Sequence, residues 1–136
     1  MKKQILNAFL NINKKVDAAR DTATVEVSLV IHKENLELIS KAFSVSAIEA
    51  LILSGCMIGN VHRSVRMKVA TIASNLQVET FDLMCYEADF ENLLEKNYLT
   101  VLQAIEGREI NFGIPFLNME LNVGDAFIAK LNSLPL

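Results

Sequence analysis

Apolar and polar positions along this chain follow two rhythms that alternate from end to end. Ile5, Leu6, Phe9, Leu10, Ile12 and Val16 recur at the spacing of one helix face, and Lys14, Lys15, Asp17 and Arg20 take over behind them. This predicts an amphipathic helix within residues 1–21. From Thr22 the period shortens to two: Val25, Val27, Leu29 and Ile31 alternate with Thr24, Glu26 and Ser28, which predicts a strand with one apolar face. Leu36, Leu38, Ile39 and Phe43 restore helical spacing over residues 34–43, and Ser44 or Ser46 offers a cap to a second helical segment ending near Gly55 or Gly59.

The stretch 65–121 is the most informative. Val65, Met67 and Val69 alternate with Arg66 and Lys68 and continue to Ile72, Ser74-Asn75 supplies turn chemistry, and Val78, Thr80 and Leu83 resume an extended pattern to Tyr86, which together predict a hairpin. Asp89 is placed to cap a helix carrying Leu93, Leu94, Asn97, Tyr98, Val101, Leu102 and Ile105, with Gly107 as its stop. Residues 110–121 then read as extended, and Gly113 and Pro115 consign that strand to an edge or a bulge. A Val123-Gly124-Asp125 turn and a short strand or helix over 126–131 close the chain. Without the leading helix and the tail, the order is strand, helix, strand, strand, helix, strand. The expected fold is therefore a ferredoxin-like α+β split βαβ sandwich, with a helix over 1–21 followed by a single α+β domain over 22–136.

Composition sharpens this picture. The 136 residues suit one domain with a proper core. A hydrophobic fraction of 51% and a mean hydropathy of +0.30 leave apolar surface over, so a homo-oligomer is expected. The net charge of −3 and pI near 5.4 give no basic footprint for a phosphate backbone, and residues 77–86 lack the basic and aromatic surface on which sheets stack bases, so no nucleic-acid partner is expected. Asn7 and Asn11 spoil residues 1–12 as a signal core. Residues 42–61 carry Glu49 as their sole charge, yet their apolar heart over 47–58 is too short to span a bilayer and reads as a helix buried in a core or a subunit contact. Cys56 and Cys85 form no CxxC and read as reduced thiols of a cytoplasmic protein.

The sequences VRMKVATIASNLQVETFDLMCY, EADFENLLEKNYLTVLQAIE and INFGIPFLNMEL, which together span residues 65–121, resemble the C-terminal cytoplasmic α/β domain of the MscS-like mechanosensitive channel family. Asp89-Phe90 falls at the family's helix start, and Ile110, Phe112 and Pro115 at its closing hydrophobics and proline. The resemblance implies a strand, strand, helix, strand module that assembles into a ring or cage. The chain has no pore helix to conduct ions, and Glu109 stands where that family has a glycine.

Candidate chemistry is sparse. Ser54-Gly55-Cys56 faintly resembles the peroxide-reducing OsmC family. It would need Cys56 as a thiolate helped by Arg63 or Arg66, which makes a small-molecule-binding or thiol enzyme the alternative function. His32 and His62 have no companions at metal-ligand spacing, and Glu87, Asp89 and Glu91 suit a helix dipole better than a cation, so no metal is expected. Gly107, Gly113 and Gly124 form no phosphate loop, so no cofactor is expected. A non-enzymatic assembly domain is the favoured reading, with Ile5, Phe9, Leu51, Ile52, Met57, Phe112, Phe116 and Phe127 as its expected interface.

Overall fold

The computed structural model describes residues 1–13, 23–61, 67–101, 116 and 119–135. Among these residues the elements in chain order are α1 (Lys2–Asn13), α2 (Val25–Ile31), α3 (Lys33–Phe43), α4 (Ala47–Val61), α5 (Val69–Leu76), α6 (Thr80–Met84), α7 (Glu87–Glu95), β1 (Leu99–Val101), β2 (Leu121–Val123) and α8 (Asp125–Ser133). The described residues are mostly helical, and the one sheet among them is the antiparallel pair β1 and β2, with Leu99 opposite Val123 and Val101 opposite Leu121.

Helix α4 runs through the middle. Ala50, Leu51, Ile52, Leu53 and Cys56 are all fully buried, so the helix is apolar around its circumference, as a helix enclosed by others must be. It packs on α1, α3, α5, α7 and β2. Gly55 lets α5 approach: a Cβ there would stand 2.7 Å from Ile72 Cγ2. Helix α1 contributes Ile5, Ala8, Phe9 and Ile12 to the same core. No described helix is long and apolar enough to cross a membrane.

The ferredoxin-like sandwich is overturned, and the reasons are local. Residues 25–31, expected as a strand, form α2. The Thr24 hydroxyl accepts from Val27 N at 3.2 Å and the Asp82 carboxylate accepts from Val25 N, so two donors at the helix start are satisfied. The helix buries Val25 and Ser28 and half-buries Leu29, a three-and-four spacing that overrides the alternation of β-branched residues, whose helix penalty is only some tenths of a kcal/mol each.

The expected hairpin over 65–86 is two helices and a turn. Helix α5 buries Val69, Ile72, Ala73 and Leu76, and Asn75, expected in the turn, lies inside the helix and donates to Gly55 O at 3.1 Å. The turn comes at Gln77, whose φ of 57° is left-handed, and α6 follows. Among the described residues of the first expected strand only Met67 pairs, donating to Leu121 O at 3.2 Å and accepting from Leu121 N at 2.8 Å. Asp89 sits within the first turn of α7 rather than capping it, since Tyr86 holds the cap position. That helix ends at Glu95, well before Gly107. Asn97 (φ 58°) breaks it, and Leu99 and Val101 go to the sheet. Of the expected edge strand, residues 110–115 and 117–118 lie outside the described residues, and the strand that is present is Leu121–Val123.

The resulting order is α4, the Met67 bridge, α5, a three-residue turn, α6 with α7, then β1 and β2. Leu121 of β2 pairs with Val101 of β1 on one side and with Met67 on the other, which ties the segment before α5 to the sheet. Helices α1, α2 and α3 pack on α4, and Phe127 joins α8 to α1 and α3. The fold implied by the mechanosensitive-channel resemblance is not the fold observed.

Candidate interaction surface

Ala23, just before α2, is laid on the turn between α5 and α6 by main-chain hydrogen bonds. Ala23 N donates to Gln77 O at 2.9 Å and Glu79 N donates to Ala23 O at 3.1 Å, which makes a parallel bridge with Val78. Because Asp82 of α6 also caps Val25, the starts of α2 and α6 are fixed side by side. The outer sides of these two helices carry apolar residues in water: Phe81 is 79% exposed and Val30 75%, with Val27 and Ile31 also exposed. Glu26 stands exposed on the same turn of α2. The charges of Asp82 and Glu26 both reach Tyr86 and, behind desolvation, push its phenol above the ordinary tyrosine range.

A second feature lies across α1 and α3. Met1, Gln4, Ile5, Leu38, Lys41, Ala42 and Leu134 line an open groove of about 280 Å³, apolar over most of its wall. Leu6, Leu10 (61% exposed) and Leu38 add exposed apolar surface on the same two helices.

The residues expected to form an interface are mostly the inside of one chain. Ile5, Phe9, Leu51, Ile52 and Phe127 are buried in the core, and Met57 and Phe116 are half-buried against it, Phe116 edge-on to Phe90 with ring centroids 4.9 Å apart. Phe112 lies outside the described residues. The exposed residues that sequence reasoning missed are Phe81, Val30 and Leu10. Phe81 did carry a signal, being an apolar residue out of phase with Val78 and Thr80.

The thiol reading fares no better. Cys56 is enclosed in α4, and burial pushes its thiol up to about 12, so it stays protonated where a nucleophile would ionise. Arg63 and Arg66 lie outside the described residues, as does His62. Cys85 is exposed, with its Sγ 3.6 Å from Phe81 O. A thiol-reactive chromophore should therefore titrate Cys85 promptly in the native protein and Cys56 only after denaturant is added. Two fast thiols at neutral pH would contradict this packing.

Two carboxylates also interact between α4 and α7. Glu49 and Ser46 form a capping box: Glu49 Oε1 accepts from Ser46 N at 2.9 Å, and Ser46 Oγ accepts from Glu49 N at 3.2 Å. Lys96 Nζ stands 3.9 Å from Glu49 Oε1, and Oε2 is buried without a partner. Desolvation first, and the charge of Glu49 second, raise the Asp89 carboxyl above the usual aspartate value. A raised carboxyl binds its proton more tightly folded than unfolded, so its contribution to stability is full in acid and is lost as pH climbs through the folded value. Asp89→Asn should flatten that acid-side slope and raise the denaturant midpoint at pH 7 relative to the natural protein. An unchanged slope would remove Asp89 from the account. Among the described residues no group of three or more His, Cys, Asp or Glu is arranged to hold a metal ion.

Compared with known protein families, curated proteins and solved structures, the chain matches none. Nothing is inherited from a relative. Its function has to be argued from its own surface.

Proposed function

We propose that this chain is a non-enzymatic assembly domain that joins copies of itself in the cytoplasm. The observation that carries the reading is the division of its apolar residues. One chain already fills its own core, yet Phe81, Val30 and Leu10 stand largely in water, and large exposed apolar groups beyond a monomer's needs mark contact surface. Two free cysteines suit a reducing compartment.

Two helices joined by a short turn, as α5 and α6 are, can lay the second in the DNA major groove. Here residues 79–96, covering α6 and α7, hold Glu79, Asp82, Glu87, Asp89, Glu91 and Glu95 against the single Lys96, a surface that repels phosphates. The partner is therefore a protein. A small-molecule site would have to use the α1–α3 groove, whose polar lining is Gln4 and Lys41 alone, too little to orient a polar ligand.

Light scattering coupled to size-exclusion chromatography over a hundredfold range of concentration tests this reading. The expected result is a mass above 15.1 kDa that grows with concentration. A mass that stays at the monomer throughout would overturn it.

A further inference from the structure

We propose that self-association is heterologous: Phe81 of one copy enters the α1–α3 groove of the next. This rests on the assembly reading and names its two faces. Phe81 is the most exposed large hydrophobic residue of the described chain, and it sits at the start of α6, where the bridge to Ala23 and the Asp82 cap hold the backbone in place. A ring carried on a fixed stem loses little freedom on docking.

The groove fits it in size and polarity. An apolar cavity of about 150 Å³ holds a benzene ring, so about 280 Å³ lined by Ile5, Leu38, Ala42 and Leu134 admits a phenyl group with space for its neighbours. Charge agrees as well. Asp82 follows Phe81 on α6, and its charge and that of Glu26 both reach Tyr86 on the same side of the molecule, whereas Lys41 stands in the groove wall. Lys2 and Lys3 occupy the first turn of α1, which contains no acidic residue, and the helix dipole disfavours cations there. An acidic neighbour seated on that end removes the conflict. Ring and groove belong to different elements of one surface, so the contact pairs unlike faces and extends copy to copy.

Two variants separate the faces: Phe81→Glu removes the ring, and Leu38→Glu places a charge in the groove. Both positions are exposed, so each variant should keep the far-ultraviolet circular dichroism of the natural chain. Each alone should weaken association by about thirtyfold or more. Mixed in equal amounts they should form a 1:1 dimer that grows no further, because the ring of Leu38→Glu still finds the intact groove of Phe81→Glu. If the natural chain associates and the mixture stays monomeric, or if either variant alone associates like the natural chain, this pairing is overturned and the assembly reading stands. A natural chain that is monomeric throughout overturns both.

Discussion

Phe127→Ala should lower the unfolding free energy by about 3–5 kcal/mol, the usual cost of emptying an enclosed aromatic site. Phe127 of α8 stacks on Phe43 at 4.7 Å and meets Phe9 at 5.9 Å and Tyr98 at 6.1 Å edge-on, so one ring joins α8, α1, α3 and the segment leading into β1. Phe9 and Phe43 are themselves buried and leave no slack for collapse. In thermal unfolding followed by circular dichroism the midpoint should fall by roughly 10–20 °C. Phe81→Ala, on the surface, should move it by no more than about 2 °C. Equal shifts for the two would mean that the aromatic cluster is not the seam between the termini and the central helices.

Gly124→Ala should be the next most damaging, at about 1–3 kcal/mol. Gly124 has an ordinary φ of −88°, so conformational freedom is not the reason for glycine here. Space is. A Cβ would lie 2.1 Å from Asn97 O and 2.7 Å from Asn97 C, and main chain cannot step aside as a side-chain tip can. The residue enters α8 straight from β2 while its N–H donates to Tyr98 O at 2.8 Å, so relieving the clash pulls on the hairpin. Gly55→Ala makes an instructive contrast. Its obstacles are the Ile72 and Leu76 side chains, and alanine's better helix propensity returns up to about 1 kcal/mol. Denaturant titration should rank Gly124→Ala as clearly the more destabilising, and the reverse order would refute the backbone clash.

What the sequence disclosed follows from where local and tertiary forces agreed. Helices α1 and α3 were legible because their apolar stripes had no rival period, and of the two caps expected, Ser44 or Ser46, the structure uses Ser46, paired with Glu49 three residues on. The apolar run 47–58 was rightly read as a buried helix, since α4 is the hub of the core. The strands were misread where two periods overlapped. Val65, Met67 and Val69 match a period of two, yet Val69, Ile72, Ala73 and Leu76 also match a helix face, and packing on Gly55 chose the second. In α2 the deciding group was Asp82, a cap remote in sequence that no local window contains. The same misreading hid the candidate surface. Of the residues expected at an interface, Ile5, Phe9, Leu51, Ile52 and Phe127 lie in the core, and Phe81, out of phase with Val78 and Thr80, was passed over.

The bridge between Ala23 and Val78 carries one more implication. The amides of Ala23 and Glu79 are each held by the other's strand, so neither can exchange with solvent without parting the two segments. Opening at Ala23 and opening at the elbow between α5 and α6 are thus one event, and the stem of Phe81 stays fixed for as long as both amides are protected.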